Sequence, residues 1–164
     1  MIEIYSRPGC PFCNKLIKVV EYEGLPHLVY VLDRDYTREG LIACKDLSDD
    51  GIQTNVTLCF SVAQAAMASI AGATYISPFV GRLNDNSFSG VELVRGIADL
   101  YCTQSQETKV LAASLRDVHH VSRCFLYGAS VATLPTKVFD KMYNHVLTDA
   151  GLAIFEEDFK NLKA

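Results

Sequence analysis

The stretch GIQTNVTLCFSVAQAAMASIAGATYISPFVGR, residues 51–82, decides the fold. It reads as a strand over Asn55–Phe60, a helix over Ser61–Ala71 and a second strand over Thr74–Phe79. Strands that alternate with helices through short connections build a parallel α/β sheet. The same alternation continues towards the C-terminus. A helix is expected over Gly90–Thr103, a strand over Val110–Ser114, a helix over Val118–Tyr127, a strand over Val131–Leu134 and a helix over Lys137–Asn144. A last helix is expected over about Asp149–Leu162.

Towards the N-terminus, Thr37 has the character of an N-cap for a helix that runs to about Asp49 and stops at Gly51. Before it, Leu28–Leu32 (LVYVL) is a continuous apolar run, which suits a buried parallel strand. A helix from Pro11 to about Glu23 is marked by Leu16, Val19 and Val20 at helical spacing, and Gly24 and Pro26 end it. Ile2–Ser6 is short and β-prone.

With 164 residues the chain suits one domain or two small ones. It is 49% hydrophobic and 21% charged, ordinary values for a globular protein. A net charge of −4 argues against a general nucleic-acid-binding surface, although cations can still cluster around one phosphate. No apolar run is long enough to span a bilayer, and MIEIYSRPGC lacks the layout of a signal peptide. A cytoplasmic protein without membrane contact is the expectation. Of six cysteines, Cys44, Cys59, Cys102 and Cys124 lie scattered among apolar residues and are expected as buried thiols.

The remaining two stand together as Cys10-Pro11-Phe12-Cys13, between a strand and a helix. A thiol at a helix N-terminus meets free N–H groups and the positive end of the helix dipole, which favour the thiolate. Pro11 suits a first helical turn, and Cys13, one turn on, can resolve a mixed disulfide formed at Cys10. The segment MIEIYSRPGCPFC resembles the opening of glutaredoxins over about residues 1–35. The resemblance implies a βαβ unit with Cys10 as nucleophile and Cys13 as resolving thiol, acting on protein or glutathione disulfides. The family's Thr-Val-Pro and Gly-Gly segments, which hold glutathione, have no counterpart: no proline occurs between Pro26 and Pro78, and no Gly-Gly pair exists. No second cysteine pair is spaced to complete a metal site with the first, and no cofactor is called for.

From Thr37 onward, further strings stand out: Gly51–Leu58 (GIQTNVTL), Ser77–Arg82 (SPFVGR), Ala112–Arg116 (AASLR) and Leu147–Leu152 (LTDAGL). Reactive groups of a parallel α/β barrel lie at the C-terminal ends of its strands. Asn55 and Thr57 share strand parity, as do Ser77 and Phe79, so each pair can face a barrel interior. Arg82 lies just beyond one strand, and Ser114 ends another with Arg116 close behind. A serine hydroxyl and guanidinium groups at one barrel mouth can hold a phosphate. His119-His120 reads as a surface pair at a helix start, because adjacent residues do not point at one metal.

These strings resemble the small transaldolases, a family that includes fructose-6-phosphate aldolases, over about residues 36–164. The resemblance implies a sugar-phosphate protein of carbohydrate metabolism and the pentose phosphate pathway. It assigns Arg82, Ser114 and Arg116 to the substrate phosphate, and Asn55 and Thr57 to orienting the substrate and a catalytic water. Phe79 stands where transaldolases have Phe and the aldolase branch has Tyr.

One feature departs from that pattern. The family forms a Schiff base through a lysine four residues before the threonine of a Thr-x-x-Gly-Leu string. The string is present as Thr37-Arg38-Glu39-Gly40-Leu41, and four residues before Thr37 stands Asp33. Nucleophilic amine catalysis needs a partly neutral amine, and a carboxylate forms no imine with a ketone. Other lysines offer little replacement: Lys109 begins a strand at the end opposite the mouth, and Lys45, Lys137 and Lys141 lie in helices.

The chain thus reads as a glutaredoxin-like βαβ segment (1–35) joined within about Asp33–Arg38 to the back part of a (β/α) barrel (36–164). Such a join arises by recombination or by misassembly of a sequence. A complete (β/α) barrel takes about 250 residues. The expected fold is therefore an open parallel sheet or partial TIM-type barrel with helices outside. Leu28–Leu32 is available as a fifth strand and Ile2–Ser6 as a sixth. Open sheet edges invite self-association, so a homo-oligomer is expected. Three functions follow as alternatives: a transaldolase-family sugar-phosphate protein lacking its lysine, a dithiol-disulfide oxidoreductase, or a chimera without function.

Overall fold

A computed structural model describes residues 2–6, 27–31 and 38–162. The expected helix over 11–23 and the Thr37 cap lie outside the described residues. Strands β1 (Ile2–Ser6) and β2 (His27–Val31) pair in parallel, Ile2 opposite His27 and Ser6 opposite Val31. The apolar run Leu28–Leu32 thus becomes a strand displaced by one residue. These two strands form a sheet of their own instead of adding a fifth and sixth strand to the barrel portion.

The second sheet holds four parallel strands in sequence order: β3 (Asn55–Cys59), β4 (Tyr75–Pro78), β5 (Lys109–Ala112) and β6 (Val131–Ala132). Helices follow each strand. The described helices are α1 (Arg38–Asp49), α2 (Val62–Ile70), α3 (Val80–Asp85), α4 (Gly90–Thr103), α5 (Val118–Leu126), α6 (Thr136–Lys141) and α7 (Val146–Leu162). This is the open parallel sheet expected of a partial (β/α) barrel.

Local chemistry sets the helix starts. Ser61 accepts a hydrogen bond from the Gln64 N–H at 3.2 Å, and the Gln64 side chain accepts from the Phe60 N–H at 2.8 Å. The Gln64 N–H, one of the donors that a helix N-terminus leaves without an intrahelical partner, is satisfied in this way, and so is the Phe60 N–H just before the cap. Ser89 caps α4 through the Glu92 N–H, and Asp117 caps α5 through the His120 N–H at 2.8 Å. On α4, Val94, Ile97 and Tyr101 recur at helical spacing and are buried. The Tyr101 hydroxyl donates to the carbonyl of Ala65 at 2.8 Å, tying α4 to α2, and burial pushes its pKa up.

The core lies on one face of the four-stranded sheet. Val56, Ile76 and Val110 share that face by register, and they cluster with Ala65, Ala68, Val94, Ile97, Val121 and Cys124 of the covering helices. The opposite face carries Asn55, Tyr75 and Lys109 in one layer, with Leu111 and Val131 paired above Lys109. Asn55, Lys109 and Val131 are exposed there, because no element among the described residues covers them. Strand periodicity has thus put apolar side chains under the helices and a mixture of polar and apolar ones on the face that would line a barrel.

Some expectations need correction. Cys44, Cys59 and Cys124 are buried, but Cys102 is exposed. It follows the buried Tyr101 on the last turn of α4 and so points away from the sheet. Helix α3 was not foreseen: its six residues show no apolar period, and Phe79 at its N-cap offers no side-chain hydrogen bond. Helix α7 begins at Val146, earlier than expected, and carries no buried residue.

Candidate functional site

The C-terminal ends of β4 and β5 meet closely. Phe79 forms a parallel bridge with Ala113, the Val80 N–H donates to the Ala113 carbonyl at 3.0 Å, and the Gly81 N–H donates to the Ser114 carbonyl at 3.1 Å. This approach requires glycine at 81. A Cβ there would lie 2.2 Å from the Ser114 carbonyl oxygen, 2.9 Å from Arg116 Nε and 3.0 Å from Ser114 Oγ. Ser114 itself adopts φ 59, a left-handed conformation uncommon for a residue with a side chain.

Around this junction the structure gathers Phe79, Arg82, Ser114 and Arg116. The Arg82 guanidinium carbon lies 4.9 Å from the centre of the Phe79 ring, a cation–π contact on an exposed cation. Phe60, which follows β3, packs edge-on against Phe79 with ring centres 6.0 Å apart. Arg116 makes a two-pronged ion pair through Nη1 and Nη2 with the two oxygens of Asp85. Arg116 holds the Asp85 carboxyl below its ordinary pKa, and Asp85 raises that of Arg116.

One strand away, Asn55 and Thr57 sit on the open face of β3. Ser77, which is buried, donates to Asn55 Oδ1 at 2.9 Å. Between Val56 and Cys59 the strand register shifts, and Leu58 takes φ 57. A bulky residue in that region marks local strain beside Thr57, at the mouth end of the strand.

Asn84 and Asp85, at the C-terminal end of α3, both reach the segment after β5. Asn84 Nδ2 lies 3.3 Å from His120 Nε2, and Asn84 Oδ1 accepts from the Gly90 N–H at 2.9 Å. His120 is paired through Nδ1 with Asp117 at 2.5 Å. His119 is exposed as expected, but His120 is a half-buried bridge between α3 and α5. Sequence reading missed Gly81, Asp85 and the Ser77 contact. Only Gly81 left a signal, as the glycine of SPFVGR.

Cys10, Cys13 and Asp33 lie outside the described residues. Among the described residues, no group of three or more His, Cys, Asp or Glu is placed to hold a metal ion, and no helix is long and apolar enough to cross a membrane.

The arrangement can receive a small anion at the strand ends, with a polar, hydrogen-bonded pair one strand away. A family model described as glutaredoxin matches residues 2–48, and one described as transaldolase/fructose-6-phosphate aldolase matches residues 36–164, so both include most of α1. A probable transaldolase of Caulobacter vibrioides is 52% identical over 75% of this chain and 57% of its own length. One of Brachyspira hyodysenteriae is 48% identical over 82% of this chain and 62% of its own length. Another, from Lactiplantibacillus plantarum, is 50% identical over 78% of this chain and 59% of its own length. The chain thus spans less than two thirds of the curated relatives it matches. Through residues 36–164, the chain belongs to the transaldolase/fructose-6-phosphate aldolase family.

Proposed function

We propose that residues 36–164 bind a sugar phosphate, with the phosphate held by Arg82, Ser114 and Arg116 and the sugar lying across Phe79 towards Asn55 and Thr57. The observation that carries this reading is the junction at Gly81, which brings Ser114 and Arg116 within van der Waals reach of the first turn of α3, the helix bearing Arg82. Two guanidinium groups and a hydroxyl suit a phosphate, which is well matched to planar, multiple-donor recognition. The relatives named probable transaldolases support the substrate class.

In this reading the chain binds a ketose phosphate in the cytoplasm without Schiff-base chemistry, because Asp33 stands at the family's lysine position. Lys109 begins β5 and lies five residues before Ser114, a separation of about 16 Å along a strand. Its side chain falls short of a ketose carbonyl whose phosphate sits at Ser114. The proposed division of the chain is a redox-type segment over 1–35 and the barrel portion over 36–164. Copies associate through the open edges at β3 and β6.

Titration of the full chain with fructose 6-phosphate tests this. Binding should be lost in Arg82→Ala and weakened in Ser114→Ala, and borohydride should trap no adduct. A trapped lysine adduct would overturn the loss of imine chemistry, and unchanged binding in both variants would overturn the phosphate site.

A second reading rests on the glutaredoxin match over residues 2–48. Here Cys10 attacks a disulfide and Cys13 releases the product as the new Cys10–Cys13 disulfide forms. Reduction of a protein or glutathione-mixed disulfide that vanishes in Cys10→Ser supports it; an inactive parent chain removes it.

A further inference from the structure

We infer that Asp85 is a positioning residue that sets the Arg116 guanidinium for the phosphate at the β4–β5 junction; this rests on the phosphate reading above. Arg116 is exposed, and a free arginine side chain of that kind samples many rotamers. The two-pronged contact with Asp85 uses one N–H from each terminal nitrogen. The Nε–H and one further N–H on each terminal nitrogen remain for a ligand. Nε is also the Arg116 atom nearest to Gly81, 2.9 Å from where a Cβ would stand. The unused Nε–H therefore lies on the Gly81 side, where Ser114 Oγ is 3.0 Å from the same point, and the donors used by Asp85 fix the plane of the fork.

The placement of Asp85 is costly by local rules, which is why a role across the junction accounts for it. It is the last residue of α3, where the carbonyl end of a helix disfavours a carboxylate. Its neighbour Asn84 also turns to the segment after β5, through His120. Asp85 thus latches the helix that carries Arg82 to the loop that carries Ser114 and Arg116, and Asn84 latches the same helix to α5. An ordered guanidinium loses less entropy when it binds. The Asp85 negative charge repels the incoming phosphate, but both groups are solvated and that repulsion is screened.

The test is a titration of the full chain with inorganic phosphate, followed by calorimetry, for the parent, Asp85→Asn, Asp85→Glu, Arg116→Ala and the double variant Asp85→Asn/Arg116→Ala. Asp85→Asn should weaken phosphate binding by about threefold to tenfold, with Asp85→Glu restoring part of the loss. Once Arg116 is alanine, Asp85→Asn should have no further effect, an outcome that a general loss of fold does not produce. Circular dichroism of each variant separates misfolding from altered binding. If Arg116→Ala loses affinity while Asp85→Asn keeps or improves it, this inference is overturned and the phosphate site stands. If Arg116→Ala binds phosphate like the parent, the role of Arg116 in the phosphate site and this inference are both overturned.

Discussion

Gly81 is the residue on which the junction depends. Its missing side chain lets the Ser114 carbonyl sit where a Cβ would be, and the obstruction is backbone that cannot swing aside. Gly81→Ala should therefore break the hydrogen bond to Ser114 and destabilise the protein by about 1–3 kcal/mol, as overpacking does. The urea midpoint should fall and fructose 6-phosphate binding should weaken together; a variant with both unchanged would show that the junction tolerates a methyl group. Nearby, the Asp85 carboxyl has a lowered folded-state pKa. Its ion pair with Arg116 therefore contributes above the ordinary carboxylate range and is lost as pH falls through that lowered value. Both partners are exposed, so the contribution to stability is small.

Among the elements, α5 shows how much depends on one cap. Asp117 accepts from the His120 N–H and also pairs with the His120 ring, which in turn contacts Asn84. Asp117→Ala should cost about 1 kcal/mol, read as a lower urea midpoint, and Asp117→Asn should recover most of it. An unchanged midpoint in Asp117→Ala would mean that the cap contributes nothing to stability. The same elements show what the sequence could reveal. Helix α4 was legible from end to end because Gly90–Thr103 combines apolar spacing with a polar start. The short α3 was not, because backbone contacts with the end of β5 hold it in place of an apolar stripe. Arg82, Ser114 and Arg116 could be nominated from their positions at strand ends. Asp85 could not, because its partner lies 31 positions away and only the fold brings them together.

At the scale of the molecule, the described residues form two sheets where one continuous sheet was conceivable. Strands β3 and β6 end the larger sheet, and edge strands carry peptide groups able to pair with another chain. Sedimentation velocity should show dimers or larger species of the full chain, and a stable monomer across micromolar concentrations would sink edge pairing. The face of that sheet that the described elements leave open matters for chemistry as well. Asn55 is open to solvent there, in the layer that would surround a bound ketose. An amine beside Asn55, as solvent-open as that side chain is, stays a hydrated ammonium ion at neutral pH, with the ordinary pKa of about 10.4. A lysine put on that open face, at Asn55 for instance, would thus be a cation and not a nucleophile until something covers it.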